Sequence, residues 1–163
     1  MAQAFSYPDL PVDQMLAIAV YGEQVAAYRY TVLAERVPGK RDRRMFAEIA
    51  QEEQSHRERI QRLLNRFHPD SSFYLSEEDK ALVVAGPRLV DVRDPENYRQ
   101  VVQLALDTEY RVACFYQAMV GKVANTQVRK VFKELADESF DHHARLSALV
   151  RQRGFLASTA DET

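Results

Sequence analysis

The stretch FAEIAQEEQSHRERI at residues 46–60 returns at residues 132–146 as FKELADESFDHHARL, with Phe, Glu, Ala, Glu, His and Arg at the same relative positions. Extended to residues 23–64 and 109–150, the match contains no gap, and twelve of the 42 aligned positions are identical. Glu23 aligns with Glu109, and Tyr30 aligns with Tyr116. A helix pair that occurs twice predicts a pseudo-symmetric four-helix bundle, and Glu and His repeated in such a bundle are typical metal ligands.

Apolar residues recur at spacings of three and four in four segments, which lie within residues 12–66 and 95–153. This periodicity is typical of long helices that bury one face. Pro38-Gly39 separates the first two helices, Asn125-Thr126 separates the last two, and Asp94-Pro95 opens the third. Because the turns are short, each pair of helices is expected to be antiparallel.

A long connection, residues 65–93, joins the two predicted pairs and contains a short helical candidate at 77–84 before Gly86-Pro87. Such a connection is unusual in a simple up-and-down bundle but is needed as a crossover in ferritin-like bundles. The sequence therefore predicts an all-α, ferritin-like four-helix bundle made of two antiparallel helix pairs. We expect one domain over residues 1–163, with a tail at 155–163.

Five ionisable residues fall within the apolar stripes of the four helices, namely Glu23, Glu53, His56, Glu109 and His142. A lone Glu on an amphipathic helix is usually solvated, and a lone core His is usually a structural hydrogen-bonding group. Five of them at matching positions favour metal binding, because buried carboxylates are costly unless they are paired or bound to a cation. Carboxylate oxygen with imidazole nitrogen suits iron or manganese, and zinc is also possible.

These residues resemble the pattern of the rubrerythrin branch of the ferritin-like superfamily, over nearly the whole chain. That pattern has one Glu on the first and third helices and Glu-x-x-His on the second and fourth. The resemblance implies two iron ions, with Glu53 as a bridging ligand and Glu23 and Glu109 as terminal ligands. His56 and His142 would supply nitrogen.

Three departures from the family pattern stand in the sequence. Ser139 occupies the position three residues before His142, where the family has Glu, and Glu138 beside it is a possible second bridging ligand. Glu52, which matches Glu138, is expected to be dispensable because Glu53 stands next to it. Val112 replaces a further Glu of the third helix, and no Cys pair of a rubredoxin module follows the bundle. An external electron-donor protein is therefore expected.

The composition limits the classes of function. A net charge of −2 gives no strongly basic surface for nucleic acid, and the single cysteine excludes an internal disulfide framework. No apolar run is long enough for a membrane span, and the N-terminus lacks the apolar core of a signal peptide. We expect a cytoplasmic protein, and the resemblance implies a homo-oligomer such as a dimer.

Three functions remain open at this point. The leading hypothesis is a non-haem di-iron oxidoreductase that reduces peroxide or dioxygen, oxidises ferrous iron and serves in oxidative stress. The second is an iron-handling protein of the ferroxidase or storage type. The third is a degenerate bundle with one metal ion or none, in which Ser139 marks the loss of a site.

Overall fold

The computed structural model describes residues 5–88, 90 and 92–153. Within these ranges the chain is helical and has no strand, which confirms the predicted all-α class. The helices are α1 (Val12–Arg36), α2 (Lys40–Phe67), α3 (Glu77–Ala81), α4 (Pro95–Val120) and α5 (Thr126–Arg153). None of them is long and apolar enough to cross a membrane. The predicted tail at 155–163 lies outside the described residues.

The helix ends follow from local backbone chemistry. The carboxylate of Asp94 accepts a hydrogen bond from the Asn97 amide at 3.0 Å, and Pro95 opens α4 at a position where an amide would have no helical partner. The side chain of Asn125 accepts from the amide of Val128 at 3.1 Å and so caps α5. Short connections follow α1 and α4, so that α1 pairs with α2 and α4 pairs with α5.

The four long helices form a helical bundle whose apolar core is divided into two clusters. One cluster gathers the beginnings of α1 and α5 with the ends of α2 and α4, as in Leu16, Ile60 and Phe132. The other gathers the opposite ends of the same helices, as in Phe46 and Leu146. Each long helix therefore runs from one cluster to the other, and the helices within each pair are antiparallel. The middle of the bundle, between the clusters, is where the buried Glu and His residues lie.

The connection between the pairs is held against α1. Helix α3 is shorter than the predicted 77–84, because residues 82 and 83 form a turn after Ala81. Val83 is buried against Gly22, where an added Cβ atom would come within 2.9 Å of the Val83 Cβ atom. Gly86 has a φ of 72°, which favours glycine.

Arg29 fixes this connection from inside the bundle. Its guanidinium is buried and donates to the carbonyl oxygens of Ala85 and Pro87, both at 2.7 Å. It also donates to Thr108 Oγ1 at 2.9 Å, and so joins α1, α4 and the connection. The buried carbonyl of Ala85 needs such a donor because water cannot reach it.

Replacing Arg29 tests this role. Arg29→Met should lower the free energy of unfolding by about 2–4 kcal/mol, because it leaves the buried carbonyl oxygen of Ala85 and the buried hydroxyl of Thr108 without this donor. Urea unfolding followed by circular dichroism measures the change. The exposed Arg62 provides a control, since Arg62→Met should change stability by less than about 0.5 kcal/mol. Equal stabilities of the two variants would contradict the role given to Arg29.

Candidate metal centre

The layer between the two apolar clusters contains the five ionisable residues that the sequence singled out. Glu23 comes from α1, Glu53 and His56 from α2, Glu109 from α4 and His142 from α5, and each is at most 3% exposed. A polar layer forms here because the heptad pattern of every long helix places Glu or His where the neighbouring turns place apolar residues.

The five side chains form two groups that share one residue. Glu23, Glu53 and His56 make the first group, while Glu53, Glu109 and His142 make the second. In each group, one possible ligand atom per residue lies within 4.8 Å of the others. The His56 Nδ1 atom is 3.4 Å from Glu23 Oε2 and 3.5 Å from Glu53 Oε2. The two carboxylate oxygens of Glu53 thus face different groups, since its Oε1 lies toward His142.

The atoms that face inward do not satisfy one another. In the described part of the chain, His56 Nδ1, His142 Nδ1 and Glu53 Oε1 are buried without a hydrogen-bond partner. His142 Nδ1 approaches Glu53 Oε1 to 2.6 Å, but the two atoms are not aligned as donor and acceptor. Buried polar atoms without partners are rare in native proteins, and a bound ion is one of the arrangements that satisfy them. The donor set, with three carboxylates and two imidazoles, suits iron or manganese.

Two tyrosines hold the outer carboxylates. The Tyr30 hydroxyl of α1 donates to Glu109 Oε1 of α4 at 2.6 Å, and the Tyr116 hydroxyl of α4 donates to Glu23 Oε1 of α1. Burial, together with the nearby carboxylates, raises the pKa of both tyrosines well above the usual value of 10. Both therefore stay neutral and remain donors. Each tyrosine thus holds a carboxylate of the opposite helix pair.

The Rubrerythrin family model matches residues 14–150, which include all five residues and nearly all of the four long helices. The chain belongs to the rubrerythrin family. The resemblance recognised from the Glu and His spacing is thereby confirmed, and membership implies an iron-binding, di-iron type of protein.

Among solved structures, the chain is similar to a hypothetical protein from Pyrococcus furiosus. The TM-score is 0.75 and the sequence identity is 21%, over 88% of this chain and 90% of the other. At this identity the likeness concerns the fold alone. No curated protein gives a significant match.

In this rubrerythrin family member, Glu138 lies outside both groups. Its side chain is 46% exposed and contacts the outer nitrogen of His56, Nε2, on the opposite edge of the ring from the buried carboxylates. Residues three and four positions before His142 differ by about 100° around the helix, so Glu138 does not follow the direction of Ser139. Ser139 itself is buried in the layer.

Glu52 lies at the corresponding place in the other repeat. Its carboxylate contacts the outer nitrogen of His142 at 2.6 Å, and its side chain is also 46% exposed. This contact between Glu52 and His142 was not predicted from the sequence. The signal for it was present in the spacing, because both repeats have Glu four residues before His.

The metal-free layer is charged. Burial lowers the His56 pKa, but the carboxylates of Glu23 and Glu53 outweigh burial and raise it to about 11. Burial also lowers the pKa of His142, but the carboxylates of Glu109 and Glu53 outweigh burial and raise it to about 12. Burial raises the Glu23 pKa, yet contacts with Glu53 and His56 bring it down to about 2. Burial and the charges of Glu109 and Glu23 raise the Glu53 pKa well above its usual value.

Without metal, therefore, two imidazolium ions compensate the buried carboxylates. Above pH 6.5 the unfolded chain releases the two histidine protons that the folded chain keeps, so the folded state binds more protons and stability falls as pH rises. This contribution is complete below about pH 6.5 and disappears as pH passes the folded values near 11 and 12. Glu23 has the opposite effect on the pH dependence of stability, because its pKa is lowered in the folded state. Its contribution to folding stability is present above about pH 4.5 and is lost as pH falls toward 2.

The melting temperature of the chelator-treated protein should accordingly fall between about pH 6 and pH 9. Thermal unfolding in buffers of equal ionic strength measures this change. The double variant His56→Gln, His142→Gln provides the comparison, because its melting temperature should depend less on pH over that interval. A flat or rising melting temperature for the wild-type protein would show that the two rings are neutral in the folded state.

Proposed function

We propose that this chain is a non-haem di-iron oxidoreductase that oxidises ferrous iron while peroxide or dioxygen is reduced. The observation that carries the proposal is the pair of buried ligand groups that share Glu53. Two groups with one common carboxylate are the arrangement expected for two neighbouring ions, because each oxygen of a bridging carboxylate faces one ion. The further assignment of a ferritin-like four-helix arrangement belongs to the same proposal.

The ligand roles follow from position. Glu53 would bridge the ions, Glu23 with His56 would complete one side, and Glu109 with His142 would complete the other. Three carboxylates carry three negative charges, and two divalent ions carry four positive charges. Metal binding would thus replace two imidazolium ions as the source of positive charge in the layer. Since imidazole must be neutral to bind metal, binding should release protons.

The protein aligns the carboxylates of the layer and excludes water from it. Tyr30 and Tyr116 hold the terminal carboxylates through their hydroxyl groups, and each does so from the opposite helix pair. Phe46 packs against Tyr30, and Phe132 against Tyr116, so apolar rings close the layer on both sides. Iron, when bound, would supply the electron transfer to the oxidant, which side chains of this set cannot supply.

Electrons must return to the site after each oxidation. In the described part of the chain the single cysteine, Cys114, is partly buried in α4 and has no second thiol with which to form a redox pair. We therefore propose an external electron-donor protein. We also propose that the protein is a cytoplasmic homo-oligomer, such as a dimer. It would have no nucleic-acid or membrane partner.

One observation favours a simpler site. Ser139 occupies the buried place in α5 that corresponds to Glu53 in α2, so only one carboxylate lies between the two groups. A centre with one bridging carboxylate would hold its second ion less tightly. A single-metal bundle without turnover is the second candidate, and the metal count separates it from the first.

Anaerobic iron loading tests the proposal. The wild-type protein should bind about two ferrous ions per chain and should oxidise them with peroxide or dioxygen in stopped-flow experiments. Glu53→Gln removes the shared charge but keeps the shape of the side chain, and it should weaken iron binding by at least about tenfold, or ~1.4 kcal/mol. One ion per wild-type chain would replace this proposal with the single-metal bundle, and fewer than about one ion would contradict both. Two bound ions without oxidation would favour a non-enzymatic metal protein.

Ser139 supplies a second test. Ser139→Glu should restore a carboxylate between the two groups and strengthen binding of the second ion by at least about tenfold, measured by anaerobic iron titration. Ser139→Gln is the control, because it adds similar volume without charge. An equal effect of both substitutions, or a loss of binding in Ser139→Glu alone, would show that position 139 does not face the second ion.

A further inference from the structure

Each of the two buried histidines has a carboxylate on its outer edge. The Nε2 atom of His56 contacts Glu138 Oε2, and the Nε2 atom of His142 contacts Glu52 Oε2 at 2.6 Å. Both rings thus lie between buried carboxylates on the Nδ1 side and one half-exposed carboxylate on the Nε2 side. The two rings stack with their centroids 5.7 Å apart and an angle of 18° between their planes.

An arginine accompanies each outer carboxylate. Arg145 donates to Glu52 at 3.1 Å, while Arg59 lies 3.6 Å from Glu138 Oε1 and donates to Glu134. Both arginine side chains are largely covered, with exposed fractions of 26% for Arg59 and 29% for Arg145. Each arginine limits the directions in which the carboxylate beside it can turn.

The two sets of contacts are copies of each other. In the alignment of the two repeats, Glu52 matches Glu138, His56 matches His142 and Arg59 matches Arg145. In both copies the carboxylate belongs to the helix opposite the histidine, so α2 supplies the acceptor for α5 and α5 supplies the acceptor for α2. The exposed fractions of the two carboxylates are the same. A chance surface contact is not expected to occur twice with the same partners and the same burial.

These contacts determine which nitrogen of each imidazole carries the proton. A neutral imidazole has one N–H donor and one nitrogen with a free lone pair, and an acceptor on one nitrogen decides which is which. With a carboxylate at Nε2, the proton stays on Nε2 and the Nδ1 lone pair is available to a metal ion. Histidine ligands in proteins usually have such an outer acceptor, and its loss typically weakens metal affinity by about 10–100-fold.

We propose that Glu52 and Glu138 are a reciprocal pair of positioning residues, each of which orients the metal-binding histidine of the opposite helix and keeps its proton on Nε2. This inference rests on the proposed metal centre. It assigns to Glu138 a role behind the ligand His56 in place of a bridging role between the ions. It also makes Glu52 a functional residue, in contrast to the expectation from sequence that it is dispensable.

Alanine substitutions with matched controls test the pair. Glu52→Ala and Glu138→Ala should each weaken Fe²⁺ binding by about 10–100-fold in anaerobic titrations. Glu48→Ala and Glu134→Ala are the controls, because these carboxylates lie one turn earlier on the same helices and contact Arg145 and Arg59 instead of a histidine. Affinities of the controls should remain within about twofold of wild type, and circular dichroism should show that all four variants are folded.

Nuclear magnetic resonance of the Zn²⁺-loaded protein, with ¹⁵N-labelled histidine, gives the second measurement. In wild type both rings should show metal on Nδ1 and a slowly exchanging proton on Nε2. Glu138→Ala should shift and speed the exchange of the His56 proton only, whereas Glu52→Ala should affect the His142 proton only. Glu138→Gln and Glu52→Gln, whose amide oxygens still accept a hydrogen bond, should restore part of the affinity and of the proton signal.

The outcomes separate this inference from the metal centre itself. A wild-type protein that binds no ion in the layer overturns the metal centre and this inference with it. Normal metal binding by wild type, combined with wild-type affinity in Glu52→Ala and Glu138→Ala, overturns only the positioning role. Weaker binding in Glu138→Ala with an unchanged His56 proton would show that Glu138 binds the metal directly, which also contradicts the inference.

Discussion

The cost of burying three carboxylates and two imidazoles in one layer is the constraint on which the rest of this structure depends. The apolar clusters on both sides remove water from that layer, so the charges must be compensated within it. Protonated His56 and His142 provide this compensation in the metal-free protein. A divalent ion in each ligand group would provide it in the loaded protein. Under this proposal, metal and protons would compete for the same two nitrogen atoms.

Because the helix pair is repeated in the sequence, the layer is held by two kinds of contact, each of which occurs twice. Tyr30 and Tyr116 cross between α1 and α4, while Glu52 and Glu138 cross between α2 and α5. Every terminal carboxylate and every histidine of the layer is thus held by a side chain of the opposite helix pair. Ser139 is the position at which the copies differ inside the layer. The candidate ligand set is for this reason asymmetric, although the contacts that support it are symmetric.

Much of this arrangement follows from the sequence, because buried helical positions repeat with a fixed period. Periodicity placed Glu23, Glu53 and Glu109 correctly in the interior, and the Pro and Asn breaks located the helix ends. The direction of Glu138 was not predictable, since a residue on the flank of a stripe turns inward or outward according to the neighbouring helix. The buried Arg29 was also missed, because its carbonyl partners lie in a connection whose path the helical period does not determine.

We propose that two ions bind on either side of Glu53. Anomalous X-ray diffraction at the iron edge, on crystals loaded with Fe²⁺ without oxygen, would locate them. We expect two peaks in the polar layer, about 3.5–4 Å apart, with the Glu53 carboxylate between them and one histidine Nδ1 atom at each. A single peak, or peaks confined to the surface near Glu52 and Glu138, would contradict this proposal.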